Sequence, residues 1–442
     1  MNVSVHYQIR GKTGNQIAAS VEDAIRAGRL GVNHALPPIR ALAARLGVSP
    51  TTVAAAYRSL RTRGLVRGSG RRGTAVSHRP PLLTPLAPPA PAGVRDLANG
   101  NPDPAMLPSI NDALSRLECG QVLYGGEANR ADLLRLATRQ FAADGIGAKS
   151  IAVLSGAMDA LERILAAHLR PGDVVGVEDP SYSGTLDLIA AMGYVAEPIA
   201  MDEFGAIPPA VAGALRAGAH AIMLTPRAQN PTGAAFDRRR ARELAAIFAR
   251  HRAALVIEDD FAGPVSGVPV FSAIDPRRER WAVIRSVSKA LGPDLRIAIA
   301  SGDALTIARV EGRQRLGPRW VSHVLQELLA VMWSDAKVAK LVRRAADTYS
   351  ERRGALIDAL AEHGIKAQGR SGLNVWIPVP DESGAIQSLL EAKWALRAGE
   401  RFRIRAAPGI RATVAAFAAQ DAPRLARDIA AAIAPRALSS AV

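Results

Sequence analysis

The chain has 442 residues, 48% of them hydrophobic and 22% charged, which predicts a folded protein of about two or three domains rather than a disordered one. Its single cysteine, Cys119, excludes a disulfide framework and a metal site built from several cysteines. The N-terminus lacks the apolar core of a signal peptide, and no apolar stretch is long enough to cross a bilayer without a charge. We therefore expect a cytoplasmic protein that binds neither a membrane nor a metal ion.

The formal net charge of +16 is concentrated at the N-terminal end. Residues 1–95 contain fourteen Arg or Lys and only two acids, whereas residues 96–442 carry forty-two bases and thirty-eight acids. Because neutralisation of phosphates supplies much of the affinity of proteins for DNA, a basic domain joined to a nearly neutral one indicates a DNA-binding module attached to a different domain. An arginine-rich surface without such a role is the alternative that composition leaves open.

The basic region has the pattern of two short helices separated by a tight turn. We predict the first helix over about residues 38–46, the turn at Gly47, and the second helix over Pro50–Arg63. Ser49 is suited to cap the second helix, Pro50 is tolerated at its first position, and Gly64 is suited to the left-handed residue that ends a helix. These signals predict a helix-turn-helix.

The second helix has one apolar face and is followed by a possible hairpin. Val53, Tyr57 and Leu60 recur at helical spacing and predict a buried stripe, whereas the arginines at 58, 61 and 63 stay off it. The sequence "LVRGSGRRGTAV" then predicts two short strands around a tip of Gly and Arg. Together these elements outline a winged helix-turn-helix.

This N-terminal region resembles the GntR family of bacterial regulators. The resemblance covers about residues 8–77 and rests on "LP.IRALAARLGVS..TV..AY..L...G" followed by the wing "GSGRRGT". It implies that the second helix enters the major groove from its N-terminal end. The residues that it implies at the DNA are Arg40, Ser49, Thr51, Thr52 and Arg71.

A proline-rich segment separates this region from the rest of the chain. Prolines at 80, 81, 85, 88, 89 and 91 prevent a regular helix, so we predict a semi-rigid linker over residues 78–95. The winged helix then occupies residues 1–77, and a second domain occupies residues 96–442. The alternation of apolar runs and helical stretches in this second domain predicts an α/β fold.

Three apolar runs of the second domain end in polar residues. "HAIMLTP" leads to Asn230, "AALVIEDDF" contains Asp259, and "WAVIRSVSK" ends at Lys289, one of seven lysines in the chain. Since ligands bind beyond the carboxyl ends of parallel strands, we expect these three residues to converge. The segment "IAVLSGAMDALERIL" adds a helix N-terminus at Gly156 and Ala157 that is suited to an anion. A lysine, a carboxylate, an asparagine and an anion site together match pyridoxal phosphate.

The order of these residues resembles the fold type I aminotransferases over about 340 residues. The motifs are "SGA", "DPSYSG", "NPTG", "EDD" and "SVSK......R". The resemblance implies a large α/β domain and a small C-terminal α/β domain that bind pyridoxal 5'-phosphate. Its implied cofactor-binding residues are Lys289, Asp259, Asn230, Ser286, Ser288, Arg296, Gly156, Ala157, Tyr182 and Tyr124.

The resemblance also implies a role for each position. Lys289 would react with the cofactor aldehyde, Asp259 would face the ring nitrogen, and Asn230 would bond to the phenolic oxygen. The serines and the arginine of "SVSK......R", with the backbone at Gly156 and Ala157, would hold the phosphate.

Tyrosines and arginines complete the implied site. Tyr182 would stack on the ring, although a tyrosine in such a turn can also simply pack, and Tyr124 would reach the phosphate of the partner subunit. Arg411 in "PGIRATVA" would bind the carboxylate of a substrate or effector, with Arg403 or Arg405 as the alternatives.

The sequence departs from the aminotransferases at one position. These enzymes usually carry a tyrosine two residues after the aspartate that faces the ring nitrogen, whereas this chain has Phe261 there. A hydrogen bond to a charged group contributes roughly 1.5–3 kcal/mol, so its loss argues against efficient transamination. We therefore expect a regulator rather than an enzyme.

The two halves together resemble the MocR subfamily of GntR regulators, in which a winged helix is fused to an aminotransferase-like domain. "TPRAQNPTG", "WAVIRSVSKALGPDLR" and "WVSHVLQ" are most similar to its PtsJ branch, which is associated with control of pyridoxal kinase. The resemblance implies a homodimer that binds double-stranded DNA and senses pyridoxal phosphate in vitamin B6 homeostasis. The alternatives are a regulator that responds to an amino acid on the bound cofactor, a working aminotransferase with a DNA-binding domain, and a DNA-binding protein whose second domain only dimerises.

Overall fold

The computed structural model describes residues 9–26, 29–31, 33–62, 65–68, 73–76, 90–118 and 120–434. The described residues form two compact units. One contains the described residues up to Val76 together with residues 170–174 and 184–196, and the other contains the remainder. No helix among these residues is long and apolar enough to span a bilayer.

The N-terminal residues form three helices and a two-stranded antiparallel hairpin. The helices are α1 (Gly14–Arg26), α2 (Ile39–Leu46) and α3 (Pro50–Thr62), and the strands are β1 (Val66–Gly68) and β2 (Thr74–Val76). The prediction of a helix-turn-helix followed by a wing is confirmed. Helix α1 was not predicted, and the tip of the wing lies outside the described residues.

Local sequence signals account for the turn between α2 and α3. Gly47 has a left-handed backbone (φ 61°), as the residue that ends a helix often requires. The Ser49 side chain accepts a hydrogen bond from the Thr52 amide at 3.2 Å, as expected of a helix cap. The predicted stripe of Val53, Tyr57 and Leu60 is at most 1% exposed and packs in the core of this unit.

The larger unit is built on an eight-stranded mixed sheet. Its strand order is β4-β11-β10-β9-β8-β5-β6-β7, and β5, β8, β9 and β10 run parallel. Strand β11 is antiparallel to both of its neighbours. The strands are β4 (Ser150–Leu154), β5 (Val174–Asp179), β6 (Val195–Asp202), β7 (Gly205–Ala206), β8 (Ala221–Leu224), β9 (Leu255–Asp260), β10 (Trp281–Ser286) and β11 (Ala298–Gly302).

A smaller three-stranded sheet follows, in the order β12-β15-β14. Its strands are β12 (Asn374–Pro378), β14 (Arg397–Ala398) and β15 (Gly409–Thr413); the short strands β3 (Arg95–Asp96) and β13 (Trp394–Ala395) pair with each other in parallel. A second apolar core surrounds Trp394 and Val375, separate from the large core around Phe141 and Val283. The predicted division into large and small α/β parts agrees with these two cores.

Among residues 90–118 and 120–434, which the structure describes, eleven α-helices accompany these sheets. They are α4 (Ile110–Leu114), α5 (Ala131–Ala143), α6 (Ala157–His168), α7 (Ser183–Ala191), α8 (Pro208–Arg216), α9 (Arg238–Arg250), α10 (Ala304–Arg315), α11 (His323–Ser334), α12 (Ala336–Glu362), α13 (Glu382–Glu391) and α14 (Ala422–Ile433).

The predicted linker lies mostly outside the described residues, since residues 77–89 are not described. Its last predicted residue, Arg95, belongs to β3 and pairs with Trp394. The proline run predicts where regular structure stops, but it carries no signal for the pairing of a two-residue strand with a segment 299 positions later in the chain. The larger unit therefore includes at least one residue that the sequence suggested was linker.

Candidate functional site

The adjacent parallel strands β8, β9 and β10 bring three predicted residues to one edge of the sheet. Asn230 follows β8, Asp259 is the penultimate residue of β9, and Lys289 follows the end of β10. Because the strands are parallel neighbours, their carboxyl ends lie together, as the sequence analysis expected.

Lys289 is partly buried and lies near the positive charge of Arg411. Its Nζ donates a hydrogen bond to the Gly100 carbonyl oxygen at 2.8 Å. Burial and the nearby Arg411 charge lower the pKa of Lys289 to about 8. A larger fraction of this amine is therefore neutral near physiological pH than for an exposed lysine, and the neutral amine is the nucleophilic form.

The two aspartates of "EDD" differ in their partners. Asp260 is fully buried and is paired with Arg227 at 2.7 Å and with Arg285 at 3.0 Å. Although burial raises its pKa, these two arginines bring the net shift below the usual value. Asp260 is thus a structural ion-pair residue.

Asp259 has no such partner. Its Oδ1 is buried and accepts no hydrogen bond from the described residues. Burial, together with the neighbouring Asp260, raises the pKa of Asp259 to about 7. A buried carboxylate oxygen without a donor is costly, so the site is suited to a ligand that presents an N–H group there.

The helix N-terminus predicted as an anion site is the start of α6, and its role toward an anion stays a prediction. No side chain caps this helix, and Gly156 at its start has a left-handed φ of 98°. A Cβ at Gly156 would lie 2.7 Å from Nη2 of Arg296, so only glycine leaves room for the guanidinium against the helix N-terminus. Ser286 and Ser288 share a hydrogen bond of 3.0 Å between their hydroxyls at the end of β10. Helix N–H groups, two hydroxyls and a guanidinium are donors suited to a phosphate.

Arg411 in β15 is the predicted arginine that reaches the site. It is 4% exposed, and its Nη1 donates to Asn230 Oδ1 at 3.0 Å while its Nη2 donates to the Ala98 carbonyl. Burial lowers the pKa of Arg411 to about 10, and its Nε has no partner among the described residues.

The two alternative arginines are placed differently. Arg403 is paired with Glu382 at 2.8 Å. Arg405 is 73% exposed and lies 3.8 Å from Glu197. Since neither contacts Asn230 or Lys289, the contacts favour Arg411 as the residue that would bind a carboxylate.

The two predicted tyrosines are exposed. Tyr182 is 44% exposed and lies close enough to Arg411 to influence the pKa of that arginine. Tyr124 is 80% exposed and stacks edge-on against Trp320 at 5.6 Å. The described contacts do not link Tyr124 to Lys289, and its role toward a partner subunit stays a prediction.

Residues from other segments also contact the candidate site around Lys289 and Arg411, which we call the cleft, and the sequence did not predict them. The carbonyls of Ala98 and Gly100 contact Arg411 and Lys289, and the Asp179 carboxylate accepts hydrogen bonds from the backbone of residues 404–406 at 2.6–2.8 Å. The Gly between two asparagines in "ANGN" is a turn signal, but nothing in it predicts a contact with a distant lysine.

Of the residues predicted at the DNA, Ser49, Thr51 and Thr52 lie at the start of α3, and Arg40 lies in α2. Arg40, Ser49 and Thr51 are exposed and Thr52 is half-buried. The Ser49 hydroxyl lies 2.7 Å from Thr51 Oγ1 and 2.8 Å from Thr52 Oγ1. Arg71 lies outside the described residues, so its role stays a prediction.

Comparison with protein families gives two matches. The family of aminotransferase class I and II matches residues 92–429, and bacterial regulatory proteins of the gntR family match residues 13–76. The first match covers the larger sheet, the smaller sheet and the candidate cleft. The second covers α1 to the end of the wing.

Curated relatives combine both regions. The chain is 38% identical to the vitamin B6 salvage pathway transcriptional repressor PtsJ of Salmonella typhimurium, over 95% of this chain and 98% of the relative. It is 26% identical to the pyridoxine biosynthesis transcriptional regulator PdxR of Corynebacterium glutamicum, over 78% of each chain. It is also 26% identical to the regulator TauR of Rhodobacter capsulatus, over 84% of this chain and 85% of the relative.

Solved structures agree in fold. The kynurenine aminotransferase of Pyrococcus horikoshii matches with a TM-score of 0.70 at 23% identity, covering 77% of this chain and 91% of that chain. The α-aminoadipate aminotransferase LysN of Thermus thermophilus matches with a TM-score of 0.69 at 21% identity, covering 77% and 92%. At these identities the likeness concerns the aminotransferase fold.

Proposed function

From the premise that the chain belongs to the aminotransferase class I and II family and, with its N-terminal GntR domain, to the MocR subfamily of GntR regulators, we propose that it is a transcriptional regulator that responds to pyridoxal 5'-phosphate. One observation carries the proposal. Lys289, whose pKa is lowered, and the buried Asp259 oxygen that accepts no hydrogen bond from the described residues lie at the same edge of the sheet, in a chain that also has a winged helix. A transcriptional regulator that binds operator DNA acts in the cytoplasm, and we propose that location for this protein.

The residues of the cleft fit the cofactor. When bound, pyridoxal phosphate supplies an aldehyde that condenses with an amine and a ring nitrogen that carries a proton. Lys289 provides the amine, and Asp259 accepts the ring N–H. Asn230 donates its amide to the phenolic oxygen, because its carbonyl oxygen is already bonded to Arg411. The start of α6, with Ser286, Ser288 and Arg296, holds the phosphate.

The N-terminal unit binds double-stranded DNA through the start of α3. The surface around Ser49, Thr51 and Thr52 offers hydroxyls to base edges or phosphates, and the exposed Arg40 offers a positive charge. We propose that Arg71 adds a contact from the wing. A homodimer, as the aminotransferase fold usually forms, would present two such units to two half-sites of one operator.

A regulator fits the cleft better than an efficient enzyme. Phe261 is half-buried, packs against the large core and has no hydroxyl for the phenolic oxygen. Relatives over most of the chain are named as regulators, and two of these names refer to vitamin B6 or pyridoxine. We therefore propose that the chain senses pyridoxal phosphate in vitamin B6 homeostasis, with control of pyridoxal kinase as the candidate output.

One observation favours a second candidate. Arg411 lies beside Asn230 and Lys289 with an unpartnered Nε, so a carboxylate could bind there. The effector would then be an amino acid on the bound cofactor. A further spectral change when amino acids are added to the loaded protein would support this second function, and multiple turnover with a keto acid would instead support an aminotransferase.

A visible-absorption titration with pyridoxal phosphate tests the cofactor part of the proposal. Wild type should develop a saturable band that Lys289→Ala lacks. Lys149→Ala, which alters an exposed lysine at the start of β4, is the matched control and should behave as wild type. If wild type shows no band, or if Lys289→Ala keeps it, the proposed cofactor site is wrong.

A further inference from the structure

A short turn of the larger unit contacts both cations of the cleft. Residues 98–101, which we call the 98–101 turn, place the Gly100 carbonyl 2.8 Å from Lys289 Nζ and the Ala98 carbonyl against Nη2 of Arg411. These are the two positive groups that the proposed function assigns to the cofactor aldehyde and to a carboxylate. Backbone carbonyls of one turn therefore occupy both.

The turn is attached at both ends and is held in between by local hydrogen bonds, among them one from the Ala98 amide to the Asp96 carboxylate at 2.8 Å. Before it, Leu97 is buried, and its amide and carbonyl bond to Ala395 and Thr413. After it, the Asp103 amide bonds to the Tyr349 hydroxyl at 3.0 Å. Between these points, the Asn99 side chain bonds to Asp96 at 3.1 Å and to the Asn101 amide at 2.7 Å. Apart from the bonds to Lys289 and Arg411, these local bonds keep the turn in place.

The turn also has a backbone conformation that favours glycine and that faces the site. Gly100 has a φ of 72°, and a Cβ there would lie 3.3 Å from Nη2 of Arg411. A glycine adopts this conformation freely, whereas an L residue strains it. The shape of the turn that brings its carbonyls to the two cations thus depends on one glycine.

Ligand binding changes the bonds of both cations. Condensation of the Lys289 amine with an aldehyde forms a carbon–nitrogen double bond and releases one water, so the nitrogen keeps at most one N–H where the ammonium had three. A carboxylate at Arg411 competes with the Ala98 carbonyl and, as a charged acceptor, forms the stronger bond. Condensation thus removes at least two of the three N–H donors that Lys289 offers to the Gly100 carbonyl, and a bound carboxylate displaces the Ala98 carbonyl.

We propose that the 98–101 turn is an internal competitor for the ligand site: pyridoxal phosphate releases the Gly100 carbonyl by taking Lys289, and a ligand carboxylate additionally displaces the Ala98 carbonyl from Arg411. The released turn is continuous with β3, which pairs with β13 and which residues 77–89 join to the DNA-binding unit along the chain. The conformation of the segment next to the linker thereby depends on whether a ligand is bound in the cleft. The inference rests on the proposed function, because it takes pyridoxal phosphate as the ligand.

Two glycine variants separate this role from a general effect of strain. Gly100→Ala strains the turn in its inward position, so the equilibrium dissociation constant for pyridoxal phosphate should fall by about five- to thirtyfold. Gly93→Ala is the matched control: Gly93 has a φ of 76° in the same segment, but a Cβ there meets no atom within 4 Å. Its affinity for pyridoxal phosphate should equal that of wild type.

Asn99→Ala provides a second variant that adds no atom near Arg411. Loss of its two hydrogen bonds should loosen the turn and lower the dissociation constant by about two- to tenfold. Urea unfolding should first show that both variants are folded. Unchanged affinity for pyridoxal phosphate in both Gly100→Ala and Asn99→Ala would then overturn the inference. Weaker binding would also overturn it, since the turn would then help to hold the ligand.

Hydrogen exchange gives a readout that does not depend on affinity. On addition of pyridoxal phosphate to wild type, amides of residues 95–103 should exchange faster. In Lys289→Ala, exchange in this segment should be fast before any ligand is added. If wild type shows the absorption band but exchange in residues 95–103 is unchanged, the inference fails while the proposed function stands; if the band itself is absent, the proposed function fails.

Discussion

The two parts of the chain place their candidate binding residues in opposite environments. In the N-terminal unit, Arg40, Ser49 and Thr51 are exposed and come from one short stretch of sequence. In the cleft of the larger unit, Arg411 is 4% exposed and bonds to Ala98, 313 positions earlier in the chain. The DNA-binding surface is thus local and solvated, whereas the cleft is assembled from distant segments and withdrawn from water.

This difference determines what a substitution can report. An exposed charge contributes little to folding, so its removal mainly changes binding to the partner. A buried charge depends on its partner for stability, and an unpaired one shifts its pKa or destabilises the fold. Substitutions in the cleft should therefore change stability or ligand chemistry, and substitutions on α3 and before it should change DNA binding alone.

The largest effect, on the free energy of unfolding, is expected at the buried ion pairs of Asp260. Asp260→Asn removes the charge that faces Arg227 and Arg285 and should lower the free energy of unfolding by about 3–5 kcal/mol. Urea unfolding measures the change. Asp275→Asn is the control, because its pair with Arg277 is on the surface, and it should leave unfolding unchanged. Equal effects of the two substitutions would contradict the distinction between buried and exposed charges.

A smaller effect, on binding rather than folding, is expected next to that position. Asp259→Asn should weaken the affinity for pyridoxal phosphate by about ten- to a hundredfold, because a charged acceptor for the ring N–H is lost. Since burial and the neighbouring Asp260 raise the pKa of Asp259 to about 7, this group destabilises the fold increasingly as the pH rises from its ordinary pKa of about 4, and the full cost is present above about pH 7. The variant should therefore be at least as stable as wild type at pH 8, and a large loss of stability would show that Asp259 is structural.

The pH dependence of attachment tests the environment of Lys289. Burial and the Arg411 charge lower its pKa to about 8. Only the neutral amine attacks an aldehyde, so the attachment rate should be nearly constant above that pH and fall about tenfold per pH unit below it. Stopped-flow absorbance across this range measures the rate. A rate that still rises steeply through pH 10 would indicate an ordinary exposed lysine.

The smallest effect is expected on the winged helix. Arg40→Ala should weaken DNA binding by about fivefold and reduce the dependence of log K on log salt concentration by about 1. Its absorption titration with pyridoxal phosphate should match that of wild type. A change in cofactor affinity would show that the two parts are not separable in this way.

Local sequence patterns were enough to predict the helix-turn-helix and the wing of the N-terminal unit, although not α1. Gly47, Ser49 and the stripe of Val53, Tyr57 and Leu60 act within one or two helical turns, and the structure has each of them where it was expected. The placement of Asn230, Asp259 and Lys289 at the carboxyl ends of β8, β9 and β10 was predictable for a similar reason. Each of these residues lies at or after the end of an apolar run that forms its strand.

The contacts between distant segments were not predictable. Asp259 and Asp260 are both acids at the end of one strand, and the pattern alone does not show that Arg227 and Arg285 neutralise only the second. The pairing of β3 with β13 and the position of the Gly100 carbonyl at Lys289 also depend on tertiary packing, for which one sequence gives no signal.

The central claim is that a ligand at Lys289 changes DNA binding, and the most direct test is the affinity for operator DNA with and without pyridoxal phosphate, in wild type and in Lys289→Ala. Coupling between two sites commonly changes affinity by about five- to 150-fold. We predict a change of that size in wild type and none in Lys289→Ala. An equal response of both proteins, or no response of wild type while its absorption band forms, would contradict the account.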